Sequence, residues 1–254
     1  MKQLYVGALF LLIYLTQCIS SPLNRNQVAL YSEEEMAFQG NNIYSAIKES
    51  TPISRNSEIV NYVECIAENL IRGLGESTQL KYNWEITTFE DRQVNAFALP
   101  GGKISVYEGL LEITSNQHQL AAVTAHEIGH VLARHGNERA SQAAIRNVGV
   151  LAAQVLRVSE STVAAIDTSA QIGLLLPFSR IQETEADKIS LQLMAETGFD
   201  PLESLNLWEK MADNQARSAA ELLSTHPSPQ SRIETLQTMM SPAEQLGSTR
   251  ERAE

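Results

Sequence analysis

The pentapeptide His126-Glu127-Ile128-Gly129-His130 constrains this chain more than any other stretch. Successive residues of an α-helix turn by ~100°, so residues four apart lie on one face about 40° apart. His126 and His130 can therefore aim two imidazoles at one metal ion. Glu127 beside them keeps a carboxylate free to take a proton from water. Leu120, Ala121, Val123, Thr124, Ile128, Val131 and Leu132 surround the histidines. A helix so largely apolar is an interior one, which gives the imidazoles an enclosed setting.

The same helix is expected to run from Gln117 to about Glu138. His135 would then lie about 140° round from His130, off the metal face. Other zinc helices carry a glycine three positions after the second histidine and a third histidine six positions after it; here Ala133 and Gly136 occupy those places. The third ligand must come from another segment. The strongest candidate is Ser179-Arg180-Ile181-Gln182-Glu183-Thr184-Glu185-Ala186-Asp187, where Glu183 and Asp187 share a helical face and Glu185 points about 160° from Glu183. Glu183 could bind the metal while Asp187 accepts a hydrogen bond from the far nitrogen of a ligand histidine. An acidic, solvated helix face is the alternative; Ala186, Ile189 and Leu193 turn the Glu183/Asp187 side toward the core.

Charge and targeting signals narrow the setting. With net charge −11 and pI near 5.0, and no basic cluster, the chain has no electrostatic footprint for nucleic acid. Lys2 precedes an apolar run from Leu4 to Leu15, too short to span a bilayer comfortably, and this reads as an export signal over 1–17. Leu15-Thr16-Gln17-Cys18 is like a bacterial lipobox with Cys18 as the lipidated residue, although Gln17 stands where a small residue is usual; cleavage near Ser20 is the alternative. Ile19 is not the Asp that retains lipoproteins in the inner membrane, which favours the outer membrane and a periplasmic location. The only other cysteine, Cys65, falls in the stripe Ile59, Val63, Ile66, Leu70 and is expected to be a packed thiol; two cysteines exclude a cysteine-zinc site.

The remaining patterning predicts a mainly helical α+β chain: an 18–26 linker, a domain over 27–240, and a polar tail over 241–254. Ser32-Glu33-Glu34-Glu35 is a capping-box start for a helix to Ile47, and Arg55 to Leu74 forms the next helix. Strands are expected over Lys81–Phe89, Val94–Leu99 and Lys103–Tyr107, with Pro100-Gly101-Gly102 as a turn. Glu108–Ile113, residues 140–176 as helices over the cleft, Ser179–Glu196, a helix opened by Asp200-Pro201 and one opened by Ser228-Pro229 follow.

Four stretches together resemble the M48 family of zinc metallopeptidases, nearest to bacterial envelope members related to the mitochondrial enzyme Oma1. They are Asn95-Ala96-Phe97-Ala98-Leu99-Pro100-Gly101-Gly102, the His126-to-His130 helix, Glu183-x-Glu185-Ala186-Asp187, and Thr225-His226-Pro227 with Arg232. The resemblance covers about residues 25 to 240. It implies a zincin-like (gluzincin) fold with a small sheet packed on the metal helix, and one zinc ion per chain on His126, His130 and Glu183. It further implies Glu127 as general base and acid, Asp187 supporting a ligand, and Asn95, Ala96, Phe97 and Ala98 lining the substrate cleft. His226 and Arg232 are expected to face the cleft. His226 either stabilises the oxyanion or fills the fourth zinc position. The implied activity is endopeptidase cleavage of extended or misfolded envelope polypeptides. The alternative is a periplasmic chaperone or assembly factor with a structural zinc.

Overall fold

The computed structural model describes residues 18–154, 178–213, 222, 224, 226, 230 and 232–240. A short antiparallel hairpin comes first, β1 (Cys18–Ser20) with β2 (Asn26–Val28). Helices α1 (Glu33–Ser50), α2 (Ser57–Gly73) and α3 (Glu76–Lys81) follow. Strands β3 (Glu85–Phe89), β4 (Ala96–Leu99) and β5 (Lys103–Tyr107) form a sheet in the order β3-β5-β4. Then come α4 (Glu108–Ile113), α5 (Gln117–Leu132), α6 (His135–Gln154), α7 (Arg180–Glu196), α8 (Leu202–Asp213) and a helical stretch over 232–240.

Local chemistry sets many of these boundaries. The Ser32 and Glu35 side chains form the expected reciprocal capping box, and Ser179 with Gln182 repeats it at the start of α7. Asn56 caps α2 and Asn116 caps α5, each accepting backbone N–H groups that have no partner within the helix. The turn after β4 needs left-handed backbone at two successive positions, supplied by Gly101 (φ 90°) and Gly102 (φ 88°). That turn reverses β4 against β5 with Ala96 opposite Val106, while β3 runs parallel to β5. As a result β4 is the edge of the sheet, and it lies against α5.

Helix α5 is the axis of the molecule. Every residue from Gln119 to Val131 is buried, enclosed by α2, α7, α8 and the sheet. Leu120, Ala121 and Ile128 join Val63 and Leu70 of α2, Leu191 and Met194 of α7, Leu207 of α8 and Leu236 in one core. Each fully buried large side chain there contributes roughly 1.5–3 kcal/mol. The approach of α7 is set at Gly129, where a Cβ would stand 3.0 Å from the Ala186 carbonyl oxygen and 3.2 Å from its Cα.

Several expectations need correction. The helix expected from Gln117 to about Glu138 is two helices, because Arg134 adopts φ 56° and ends α5 before His135 starts α6. The Glu33 carboxylate, 2.6 Å from Arg134 Nε, holds that left-handed residue. Residues 18–26 are not a free linker, since they build most of the β1–β2 hairpin. Cys65 is exposed: Val63, Ile66, Ala67 and Leu70 take the inward face of α2 and leave the cysteine outside it. Lys81 closes α3, so the first strand of the sheet begins only at Glu85. The 1–17 signal, most of the 140–176 segment, the Ser228-Pro229 start and the 241–254 tail lie outside the described residues. Among the described residues no helix is long and apolar enough to cross a membrane.

Replacing Gly129 by valine should destabilise the fold by about 1–3 kcal/mol, because two methyl groups would be forced against α7 backbone. Gly129→Ala should cost less, since a gain of about 1 kcal/mol in helix propensity opposes the clash. Urea denaturation of both variants measures the difference.

Candidate metal centre

Two helices, α5 and α7, and the chain around residue 226 meet at one buried point. His126 and His130 come from adjacent turns of α5, Glu183 from the first turn of α7, and His226 from farther along the chain. All four are buried, and each offers an atom such that the set lies within 4.8 Å. The closest separations are tighter: His126 Nε2 is 3.0 Å from His130 Nε2 and 3.4 Å from His226 Nδ1. Glu183 places its oxygens 3.4 Å from each α5 histidine and 3.1 Å from His226 Nδ1.

These separations test the fit to a metal. Zinc bonds of about 2.0–2.1 Å arranged tetrahedrally require ligand atoms about 3.3–3.4 Å apart. The separations of His126 from His130 and His226, and of Glu183 from all three histidines, are within a few tenths of an ångström of that spacing, and the whole set lies within 4.8 Å. Three ring nitrogens and a carboxylate converge there in a buried space, and a divalent cation could accept a lone pair from each of them. The donor set of three imidazoles and one carboxylate suits zinc.

Electrostatics favour the same occupant. Burial pushes Glu183 upward, but the charges of His226 and Arg232 outweigh it and hold the carboxyl well below the usual carboxylate range. Burial carries His130 well below the usual imidazole range, so it presents a free lone pair. His126 is pulled up to about 9, against burial and the Arg232 charge, by Asp187 and Glu183; a cation entering there displaces a proton.

The surrounding side chains fix this arrangement. Asp187, one turn beyond Glu183, sits 3.0 Å from His126 Nδ1. Arg232 grips Asp187 through Nε at 3.0 Å and through Nη2, and its Nη1 is 3.0 Å from Glu183. Its guanidinium lies over the Trp208 ring at 3.7 Å. Phe178 stacks on His130 with ring centroids 3.6 Å apart.

Glu127 stands against this cluster with its two oxygens in different roles. Oε2 accepts the Ala98 backbone N–H of edge strand β4 at 3.0 Å. Oε1 is buried, makes no hydrogen bond and lies 3.3 Å from His226 Nε2. Of the other β4 candidates, Asn95 immediately precedes the strand and keeps its Oδ1 buried without a hydrogen bond, while Ala96 and Phe97 pair with Val106 and Ser105 of β5.

The structure also brings in residues the sequence patterning set aside. Because the chain breaks at Arg134, His135 folds back under α5, and its Nδ1 comes within 2.8 Å of His130 Nδ1. On its other side His135 Nε2 is 3.1 Å from Glu185. Arg25 of the hairpin donates to Glu185 from Nε at 2.6 Å and clasps Glu138 of α6 with both terminal nitrogens at 2.7 Å. Ser21 also donates to Glu185, and Gln182 donates to Glu138 at 2.8 Å. No residue from 133 to 136 signals the break by itself, since it falls at Arg134 and Gly136 already belongs to α6, so the local pattern does not reveal this network.

The family model described as Peptidase family M48 matches residues 57–240. The chain belongs to peptidase family M48, whose members are zinc-dependent metallopeptidases. It is 40% identical over 193 residues to the mitochondrial metalloendopeptidase OMA1 of Schizosaccharomyces pombe, covering 72% of this chain and 53% of that protein. It is 37% identical over 172 residues to the Saccharomyces cerevisiae protein of the same name, covering 64% and 49%. With the Escherichia coli K12 beta-barrel assembly-enhancing protease it shares 30% identity over 199 residues, 74% of this chain and 40% of that one. The M48 chain thus spans about half the length of these relatives.

The Glu185 network yields an acid-stability prediction. Burial raises the Glu185 carboxyl, but hydrogen bonds from His135, Ser21 and Arg25 outweigh it and bring it from 4.5 down to about 2. A carboxylate depressed in the folded state stabilises fully above its unfolded value and loses that contribution as pH falls toward the folded one. In chelator-treated protein the urea midpoint should therefore fall between about pH 4.5 and pH 2, with a shallower fall in Glu185→Gln.

Proposed function

We propose that this chain is a zinc-dependent metalloendopeptidase that hydrolyses peptide bonds in extended or misfolded envelope proteins. The observation that carries the reading is Glu127. Its buried Oε1 faces a four-residue metal-binding cluster, and its Oε2 is tied to the edge strand against which a peptide would lie.

His126, His130 and Glu183 would hold the zinc. Bound there, zinc supplies the positive charge that acidifies the attacking water and polarises the substrate carbonyl. Glu127 Oε1 takes the proton of that water and later delivers it to the leaving amine. The Ala98 N–H holds Glu127 in one rotamer throughout, so the base does not swing toward the ligand set. The unpaired edge of β4 could offer its remaining main-chain groups to an extended polypeptide, which would add to the sheet as a further strand. This mode of binding depends on an unfolded segment and not on one side chain, which supports misfolded substrates.

His226 stands at the fourth corner in this conformation, beside the base. We read it as closing the centre until a substrate carbonyl takes its place, after which it remains near enough to stabilise developing negative charge. Arg232 acts through Asp187 and Glu183, keeping both carboxylates ionised and oriented.

Export is supported by the apolar leader before Cys18 and by the lipobox-like sequence around it. Because β1 begins at Cys18, a lipid on that residue would hold the domain directly at a bilayer surface, which we propose to be the periplasmic face of the outer membrane. The likeness to a beta-barrel assembly-enhancing protease supports an envelope substrate class.

Glu127→Gln should retain zinc and lower casein cleavage by at least about a hundredfold. Elemental analysis beside a digestion assay measures both; full cleavage would remove Glu127 from the mechanism. Glu183→Gln should lose zinc itself, and unchanged zinc content in that variant would place the third ligand elsewhere.

A further inference from the structure

We infer that His135, Glu185 and Arg25 form a positioning relay that fixes the metal-binding tautomer of His130. The inference rests on the zinc reading above and concerns residues outside the ligand set.

With His135 neutral, the hydrogen-bond arithmetic leaves one consistent assignment. Glu185 is a carboxylate gripped by Arg25 Nε at 2.6 Å and by the Ser21 hydroxyl, so it can only accept. His135 Nε2, 3.1 Å away, must then carry the proton and donate it to Glu185. A neutral imidazole that is protonated on Nε2 has a bare Nδ1, so His135 accepts at the 2.8 Å contact with His130. His130 Nδ1 therefore carries its proton, and its Nε2 is left as a lone pair facing His126 and Glu183. Reversing any one of these protons would leave a buried donor facing a donor or an acceptor facing an acceptor.

The relay also explains two features that the ligand set does not require. His135 is fully enclosed although it touches no ligand other than His130, and Arg134 adopts a left-handed backbone one residue earlier, which puts His135 there. Arg25 closes the far end by spanning Glu138 of α6 and Glu185 of α7, so the β1–β2 hairpin takes part in orienting a ligand on α5. The counterpart on the other ligand is direct: His126 Nδ1 meets Asp187 without an intermediary.

The test compares zinc affinity in the full chain, read by competition with a chromogenic chelator, for His135→Phe and His135→Asn. Phenylalanine fills the ring's volume but offers His130 no acceptor. Asparagine leaves space unfilled but places an oxygen near the position of Nδ1. The relay predicts that His135→Phe weakens zinc binding about 10–100-fold, within the range for residues that support metal ligands, and that His135→Asn restores most of it. A packing role predicts the opposite order, which would overturn the relay. Glu185→Gln should weaken zinc binding alone and add nothing in the His135→Phe background; additive losses would show that the two act separately. Should His135→Phe fail to fold by circular dichroism, the decision passes to Glu185→Gln compared with His135→Asn/Glu185→Gln. Asparagine lacks the link to Glu185, so Glu185→Gln must lose its effect in that pair. Wild-type protein that takes up no zinc would overturn the zinc reading and the relay together. Wild-type that binds zinc with an affinity unmoved by these substitutions would overturn the relay alone.

Discussion

The contact between Gly129 and the backbone of Ala186 is the constraint on which the rest of the site depends. At this point α5 and α7 approach more closely than a side chain at position 129 would comfortably permit. A glycine placed between His126 and His130, facing a small residue between Glu183 and Asp187, permits that approach. His126 with His130 on one helix and Glu183 with Asp187 on the other bracket the point of contact, so the spacing that packs the helices also sets the imidazole-to-carboxylate distances.

Such an approach concentrates charge in a water-poor interior, where unpaired ions are costly. The fold answers by building pairs outward. Glu183 and Asp187 face Arg232, which is itself stacked on Trp208; Glu185 and Glu138 face Arg25. The two arginines stand on different sides of α7 and come from segments near opposite ends of the described chain. Helix α5 is buried from Gln119 to Val131, and α7 buries two faces, one carrying Glu183 and Asp187, the other Glu185, leaving the stripe of Ile181, Lys188 and Gln192 exposed. An amphipathic pattern with one polar face would not have predicted this.

Legibility followed the range of the interactions. Residues that act within one turn of helix were readable: His126 with His130, the Ser32 cap, and the Glu183/Asp187 pair all depend on local spacing. The sheet was readable because Pro100-Gly101-Gly102 marks a turn between two β-rich runs, although the parallel partnership of β3 with β5 has no local signature. What failed was the end of α5. Nothing in residues 133–136 favours a break strongly enough to outweigh the continuing helical pattern, since Arg134 takes its left-handed conformation with help from Glu33, about a hundred positions earlier. The same holds for Arg25 and Ser21, whose partners lie 160 and 164 positions away. The meeting of His226 with the α5 histidines was readable only through family likeness.

The wide scatter of the parts along the chain has a consequence for when the cluster can assemble. His126, His130, Glu183 and His226 span a hundred positions, and Arg25 lies a further hundred before them. A chain still being synthesised therefore holds only part of this charge network, and the four side chains can converge only after residue 226 has emerged.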